Sequence, residues 1–473
     1  MNELRPVSAD MRGIFDAQRA AFLRAGPPPL QERRAALKRL AEAIGRGTDH
    51  LAAAISADFG NRSRHETELG EVVPAQSAIR HTLRHLGRWM RPKRVSVGLE
   101  LMPAGARILH QPVGVVGIIS PWNYPFNLAI VPLVAALAAG NRVMLKPSEL
   151  TPRTSNFLAE LLADLFPAEQ VATVIGGSET GQAFARLPFD HLLYTGSTAI
   201  GRLVMQAAAE NLTPVTLELG GKSPCIVGED ATLPSAVESI VYGKLLNAGQ
   251  TCIAPDYVLL PERMLDEFVG LTTATVEKFY PTLAANPDYT SIVDDRHYRR
   301  IAQYVGEAKA SGARVVEINP ARETLAAETR RLAPTLVIEP PDDLALMREE
   351  IFGPVLPIKT YRGLDQAIDY VNRHPRPLAL YYFGADGGKR DEVLRRTVSG
   401  GVSVNTTLFH FAAENLPFGG VGPSGIGAYH GEFGFQTFSH RKGVFLQSRL
   451  NAARLLYPPF GLLTDWMLRI LKR

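Results

Sequence analysis

Cys252 stands in the loop Asn247-Ala248-Gly249-Gln250-Thr251-Cys252-Ile253-Ala254-Pro255, a polar, glycine-bearing turn, so its thiol is placed to attack something. The other cysteine, Cys225, lies in Ser223-Pro224-Cys225-Ile226-Val227, which reads as a buried strand. Two cysteines in 473 residues do not make a disulfide scaffold. They fit a reducing, cytoplasmic compartment and one catalytic thiolate, whose reactivity needs exposure and an electropositive setting that the turn is expected to supply. Taken alone, a single cysteine is more often a small core residue.

Other segments offer the remaining parts of a reaction. Asn123, in Ser120-Pro121-Trp122-Asn123-Tyr124-Pro125, has an amide N–H to offer from a proline-framed loop, and Glu218, in Glu218-Leu219-Gly220-Gly221-Lys222-Ser223-Pro224, becomes a base if burial raises its pKa. A turn-forming Asn123 and a salt-bridged Glu218 are the plain alternatives. The stretch Leu145-Lys146-Pro147-Ser148-Glu149 puts a cation and a carboxylate where nucleotide-binding sheets read the adenosine ribose. Lys146 and Glu149 are expected to bond its hydroxyls unless they only cap the next helix. A carboxylate there repels a 2′-phosphate, so NAD is favoured while NADP stays open. The motif G-x-G-x-x-G is absent after the first strand; Thr195-Gly196-Ser197-Thr198-Ala199-Ile200-Gly201 opens a helix instead, as a phosphate or nicotinamide contact or a simple tight turn. The eleven histidines show no paired spacing, so no metal site is expected.

These residues need elements to hold them. Apolar runs at 114–119, 142–146, 171–175, 191–194 and 214–219 alternate with helical patterns at 128–139, from Thr151 as N-cap with Pro152 following, at 179–187 and at 198–211. That alternation predicts an α/β fold with a doubly wound parallel sheet, residues 1–94 and 112–222 forming an NAD-binding domain. The alternation resumes after Lys222, giving an α/β catalytic domain over 223–416, with Cys252 past the boundary. Residues 95–111, with a turn at Pro103-Ala104-Gly105, read as a hairpin leaving the body; with 437–448 they are assigned to a small bridging element.

The formal charge of +4 is too small to imply a nucleic-acid partner. A basic amphipathic helix is expected from Arg80 to Arg94, with Leu83, Leu86, Trp89 and Met90 facing the core. The chain start lacks a signal peptide's pattern, and the longest apolar stretch, 128–139, is interrupted by Pro132 and reads as a core helix, not a bilayer span. The tail at 449–473 ends in a short amphipathic helix expected to pack on the protein's own surface, with a peripheral membrane contact as the alternative.

In order and spacing, Pro121-Trp122-Asn123, Leu145 to Glu149, Glu218 to Pro224, Gly249 to Cys252 and Glu349-Glu350-Ile351-Phe352-Gly353-Pro354 resemble the motifs of the aldehyde dehydrogenase superfamily over nearly the whole chain. Thr251 to Tyr257, Leu416-Pro417-Phe418-Gly419-Gly420-Val421-Gly422, Tyr429-His430-Gly431 and Thr437-Phe438-Ser439-His440 are similar to its class 3 branch. Gly117 to Pro125 and Gln18-Arg19-Ala20-Ala21-Phe22 are similar to bacterial coniferyl aldehyde dehydrogenases. The resemblance implies NAD(P)-dependent oxidation of an aldehyde, aromatic or medium-to-long aliphatic, to its acid. It makes Cys252 the nucleophile, Asn123 an oxyanion donor with the Cys252 N–H, and Glu218 the activator of the hydrolytic water. It gives Glu350 the nicotinamide ribose, sets Phe352 by the ring, and adds Trp122, Gly196, Ser197, Gly201 and Leu219 to the cofactor contacts. It also implies a homodimer in which the hairpin and the closing strand near 438–446 pair between subunits. Tyr194 stands where phenylalanine is common. Tyr124 and residues 409–411 supply aromatic candidates for an aldehyde pocket. The other readings are a membrane-held fatty aldehyde dehydrogenase and a dinucleotide-binding scaffold without catalysis.

Overall fold

The computed structural model describes residues 11–98, 101–450, 454 and 457–472. The expectation for the chain start, and Leu99, Glu100, Leu455, Leu456 and Arg473 from the hairpin and tail, fall outside them. The apolar runs become the strands of two sheets. The first sheet runs Gly425–Ile426, Val215–Glu218, His191–Thr195, Val115–Ile119, Arg142–Lys146, Val171–Thr173, and all its pairings are parallel except that of the two-residue strand Gly425–Ile426. Two residues carry no readable periodicity, so that edge strand was not foreseen. Strand order reverses at Val115–Ile119, which lies between Arg142–Lys146 and His191–Thr195. Open α/β sheets bind ligands at such a reversal, outside the carboxyl ends of the strands, and the Asn123 loop leaves the sheet there.

Helix Asn127–Ala139 is buried at every residue, as its uniformly apolar sequence requires. Gly140 ends it at φ 96°, and the buried Arg33 donates from Nη1 to the Ala138 carbonyl at 2.8 Å. A side chain on Gly140 would meet that guanidinium at 2.6 Å. Helix Pro152–Leu165 starts where expected, but Thr151 makes no capping bond. Asp58 replaces it, accepting the Arg153 and Thr154 N–H groups at 3.0 and 2.9 Å, which is worth about 1 kcal/mol. The basic helix is also shorter than predicted. It spans Val73–Trp89, and Lys93 and Arg94 lie beyond Pro92 in strand Lys93–Val95.

The second sheet has seven strands, all between residues 224 and 404, in the order Arg314–Glu317, Thr335–Ile338, Val355–Tyr361, Tyr257–Pro261, Pro224–Val227, Ala379–Phe383, Gly401–Val404. Cys225 is fully buried in it. A third sheet joins Lys93–Val95, Gly105–Pro112 and Ser439–Leu446. The last two pair antiparallel over eight residues within one chain. That corrects the expectation that these two strands pair between subunits; among the described residues the outer edges of Lys93–Val95 and Ser439–Leu446 are left open. Helix Leu462–Leu471 buries Thr464 alone. Among the described residues no helix is long and apolar enough to cross a membrane.

Candidate active site

The loop before Cys252 uses backbone that L-residues avoid. Asn247 and Ala248 lie at φ 54° and 51° and Gly249 at φ 77°, the non-glycine pair costing about 1–2 kcal/mol each. A buried polar frame holds them. The Asn247 N–H donates to Glu66 Oε1 at 3.1 Å, and its Nδ2 donates to the Asn123 and Gln250 carbonyls at 3.0 and 3.1 Å. Gln250 Nε2 donates to the Asn247 and Ser291 carbonyls at 3.0 and 3.1 Å, while its Oε1 accepts the Val293 N–H at 2.9 Å. Behind this layer Arg62 Nη1 bonds Glu71 Oε1 and the Asn123 carbonyl, both at 3.0 Å. Glu71 Oε2 accepts the Phe126 and Asn127 N–H groups at 3.2 and 2.7 Å. Sequence reasoning missed Arg62, Glu66 and Glu71, since Glu66 precedes Asn247 by 181 positions. The available signal was local: two amides, Asn247 and Gln250, flank a glycine.

Within this frame the thiol differs from expectation. Cys252 is half-buried, and burial, followed by the charges of Glu350 and Glu218, pushes its pKa up to about 12. The N–H groups of Cys252 and Ile253 oppose them and do not prevail. The expected electropositive setting is therefore absent, and the resting sulfur is a thiol.

Glu218 ends strand Val215–Glu218, is 2% exposed, and has no partner for either carboxylate oxygen among the described residues. With neither oxygen in an ion pair the salt-bridged alternative fails, and burial raises the carboxyl pKa well above the usual range. Asn123 is buried and gives one amide proton to the Gln250 carbonyl at 3.1 Å, leaving the other. Its own carbonyl accepts from Arg62 and Asn247, which fixes the residue more firmly than a loop alone could.

The cofactor candidates gather at the carboxyl ends of the same strands. Lys146 Nζ bonds Glu149 Oε2 at 2.8 Å; burial works against the Glu149 charge, but the amine prevails and lowers its pKa. Ser197 caps helix Thr198–Ala209, accepting the Ile200 N–H at 3.4 Å, and the Tyr194 hydroxyl bonds Ser197, a use for the unusual tyrosine. A side chain on Gly201 would meet Leu219 at 2.6 Å, so glycine lets that helix close on Leu219. A side chain on Gly220 would meet the Glu350 carboxylate at 2.2 Å. Burial and then the Asp256 charge push Glu350 up to about 8. Phe352, at φ 52°, packs edge-on against Trp122 at 5.3 Å, joining the two sheets' loops. Arg300 secures this segment by bonding the Glu350 and Ile351 carbonyls at 3.2 and 2.9 Å, and Lys222 pairs with Asp256 beneath it.

A family profile described as the aldehyde dehydrogenase family matches residues 7–444. The chain belongs to that family. It is 51% identical over 459 residues to a probable coniferyl aldehyde dehydrogenase of Caulobacter vibrioides, covering 96% of this chain and 95% of the relative. It is 49% identical over 470 residues to the coniferyl aldehyde dehydrogenase of Pseudomonas sp. strain HR199, covering 98% and 97%. The substrate-bound structure of Staphylococcus aureus AldH superposes with a TM-score of 0.92 at 37% identity, covering 98% of this chain and 99% of that one.

Of the aromatic pocket candidates in this aldehyde dehydrogenase, Phe411 and Cys252 pack against the same apolar cluster, and Phe409 is 60% exposed. Tyr124 serves the frame instead: its hydroxyl bonds Thr251 Oγ1 at 2.8 Å and its ring lies 4.7 Å from the Arg62 guanidinium. Among the described residues, no group of three or more His, Cys, Asp or Glu could hold a metal ion.

Proposed function

We propose that the protein oxidises an aromatic aldehyde of the coniferyl type to its carboxylic acid with NAD. One observation carries the chemistry: Glu218 is a buried carboxyl with no partner for either oxygen among the described residues. The Cys252 thiol adds across the aldehyde C=O; the charge that develops on oxygen is met by the free Asn123 amide proton and the Cys252 N–H, and that oxygen takes the thiol's proton to give the thiohemiacetal. NAD, when bound, supplies the hydride acceptor. Lys146 and Glu149 would hold its adenosine ribose, Gly196 and Ser197 its pyrophosphate at the helix start, and Glu350 the nicotinamide ribose. Trp122, Leu219 and Phe352 would wall the ring, and Gly201 lets the helix approach. Oxidation leaves a thioester on Cys252, and Glu218 takes a proton from the water that hydrolyses it. The substrate class rests on the two coniferyl aldehyde dehydrogenases and on Phe411, which packs against the same apolar cluster as Cys252. The domain reading is residues 1–94 and 112–222 for NAD, 223–416 for catalysis, and 95–111 with 437–448 as a bridge. The enzyme is placed in the cytoplasm as a homodimer assembled through the open edge of Ser439–Leu446.

The tail is assigned a peripheral contact with an anionic membrane surface. Residues 449–473 carry five Lys or Arg against one Asp, a surplus equal to the whole chain's +4. Leu462, Leu463, Trp466 and Ile470 are exposed beside them.

With coniferyl aldehyde and NAD, Cys252→Ala should form no reduced cofactor, and Glu218→Gln should release one equivalent per site and then stall. A fully active Cys252→Ala protein would sink the reading.

A further inference from the structure

Glu218 is not the only buried polar group without a protein partner near Cys252. Tyr429 is fully buried and its hydroxyl has none either. The charges acting most strongly on that hydroxyl are Glu218, then Cys252, then Glu414. Packing puts it there. Gly425 pairs with Glu218 across the sheet edge, and a side chain on Gly427 would meet Thr216 Oγ1 at 3.1 Å, so the chain leading to Tyr429 runs close along the strand that ends in Glu218. Tyr429 is then pinned by paired backbone bonds with Phe418, at 2.9 and 2.8 Å, and belongs to the apolar cluster against which Cys252 packs. Its neighbour His430, 4.7 Å away between ring centres, is held neutral: burial lowers its pKa to about 3. Leaving two such groups unpaired costs about 1–3 kcal/mol each, and the reaction itself brings the molecule that pairs them.

We propose that Tyr429 is a positioning residue that seats the hydrolytic water together with Glu218. This rests on the aldehyde-oxidising reading above. The water gives one O–H to the Glu218 carboxylate and the other to the Tyr429 oxygen, which turns a lone pair toward the thioester carbon. Glu218 takes a proton as the new C–O bond forms. The C–S bond then breaks, sulfur leaves as thiolate and recovers the proton from Glu218, and the carboxylic acid departs.

The test follows the acyl adduct on Cys252 by rapid quench and intact-protein mass spectrometry in wild type, Tyr429→Phe and Glu218→Gln, with coniferyl aldehyde and NAD. Tyr429→Phe keeps the ring and its packing. It should acylate to about one adduct per site, showing an assembled site, and lose the adduct roughly tenfold more slowly than wild type. The pH midpoint of that decay should move upward, since Glu218 loses a polar neighbour; slowing from disturbed structure alone would leave the midpoint in place and overturn the assignment. Decay within about threefold of wild type, or failure to acylate, also overturns it. A wild type that forms no adduct defeats the underlying reading instead. A stalled Glu218→Gln beside an unaffected Tyr429→Phe defeats only the role of Tyr429.

Discussion

Alkylation of the cofactor-free enzyme tests the electrostatics of Cys252 directly. A free cysteine ionises near about 8.5. With the Cys252 pKa at about 12, the thiolate fraction at neutral pH falls by roughly 3.5 orders of magnitude. A more basic thiolate is intrinsically the better nucleophile, and a Brønsted coefficient of about 0.4–0.5 returns a factor of roughly 25–55. Iodoacetamide should therefore modify Cys252 about a hundredfold more slowly than a small thiol at the same pH. The assay is the pseudo-first-order rate of adduct formation, read by intact mass from pH 6 to pH 10, with the site confirmed by peptide mapping. The rate should climb across the whole range without a plateau. Glu350→Gln should accelerate it and shift the curve to lower pH, because the Glu350 charge is the largest electrostatic contribution raising the thiol. Glu218→Gln should act in the same direction and less. A plateau with a midpoint at or below about 8.5 in the wild type would refute the reasoning, since it would require a cation by the sulfur.

Two further substitutions test the frame beneath the loop. Glu71→Ala leaves Arg62 buried without its counter-charge and strands the Phe126 and Asn127 N–H groups, so urea unfolding should show a loss of about 3–5 kcal/mol; a loss below about 1 kcal/mol would mean the pair contributes little. Gly249→Ala puts a side chain at φ 77° and 2.3 Å from the Gly353 carbonyl, next to Phe352. Its melting temperature should fall and NAD binding by titration calorimetry should weaken together, and unchanged binding would detach this loop from the cofactor side.

What could be read in the sequence was whatever repeats or caps locally. The five parallel strands from Val115 to Glu218, the buried helix Asn127–Ala139 and its Gly140 cap all follow from apolar periodicity and one glycine. Asn123 and Glu218 drew notice because they stand at or just past strands' carboxyl ends, and Cys252 because it lies in a polar loop between helix Leu233–Leu245 and strand Tyr257–Pro261. What was not legible depended on distance along the chain. Asp58 capping Pro152–Leu165 displaced the local Thr151, and the bridging strands paired within one chain because nothing in either strand says which copy it will meet. The left-handed Asn247 and Ala248 carry no sequence mark, for neither is glycine; tertiary bonds from Glu66 and Asn123 impose their conformation.

The misread electrostatics of Cys252 explain why the loop is built at such cost. Burial that strips water from the sulfur also strips it from Glu218, so the proton-free form of each is disfavoured together. A thiol in that state resists adventitious oxidation, which proceeds through the thiolate. The same desolvation leaves the Glu218 carboxylate, once it ionises, strongly basic toward water, so in the proposed reaction one physical cause quiets the thiol at rest and strengthens the base later. Holding both near one point requires that neither loop relax toward solvent. Arg62, Glu66 and Glu71 prevent it by tying the Asn247 backbone, the Asn123 carbonyl and the start of helix Asn127–Ala139 into one frame. Their buried charges are spent on rigidity at the place where the first sheet reverses its strand order, and there a displaced Asn123 would lose the oxyanion and the loop together.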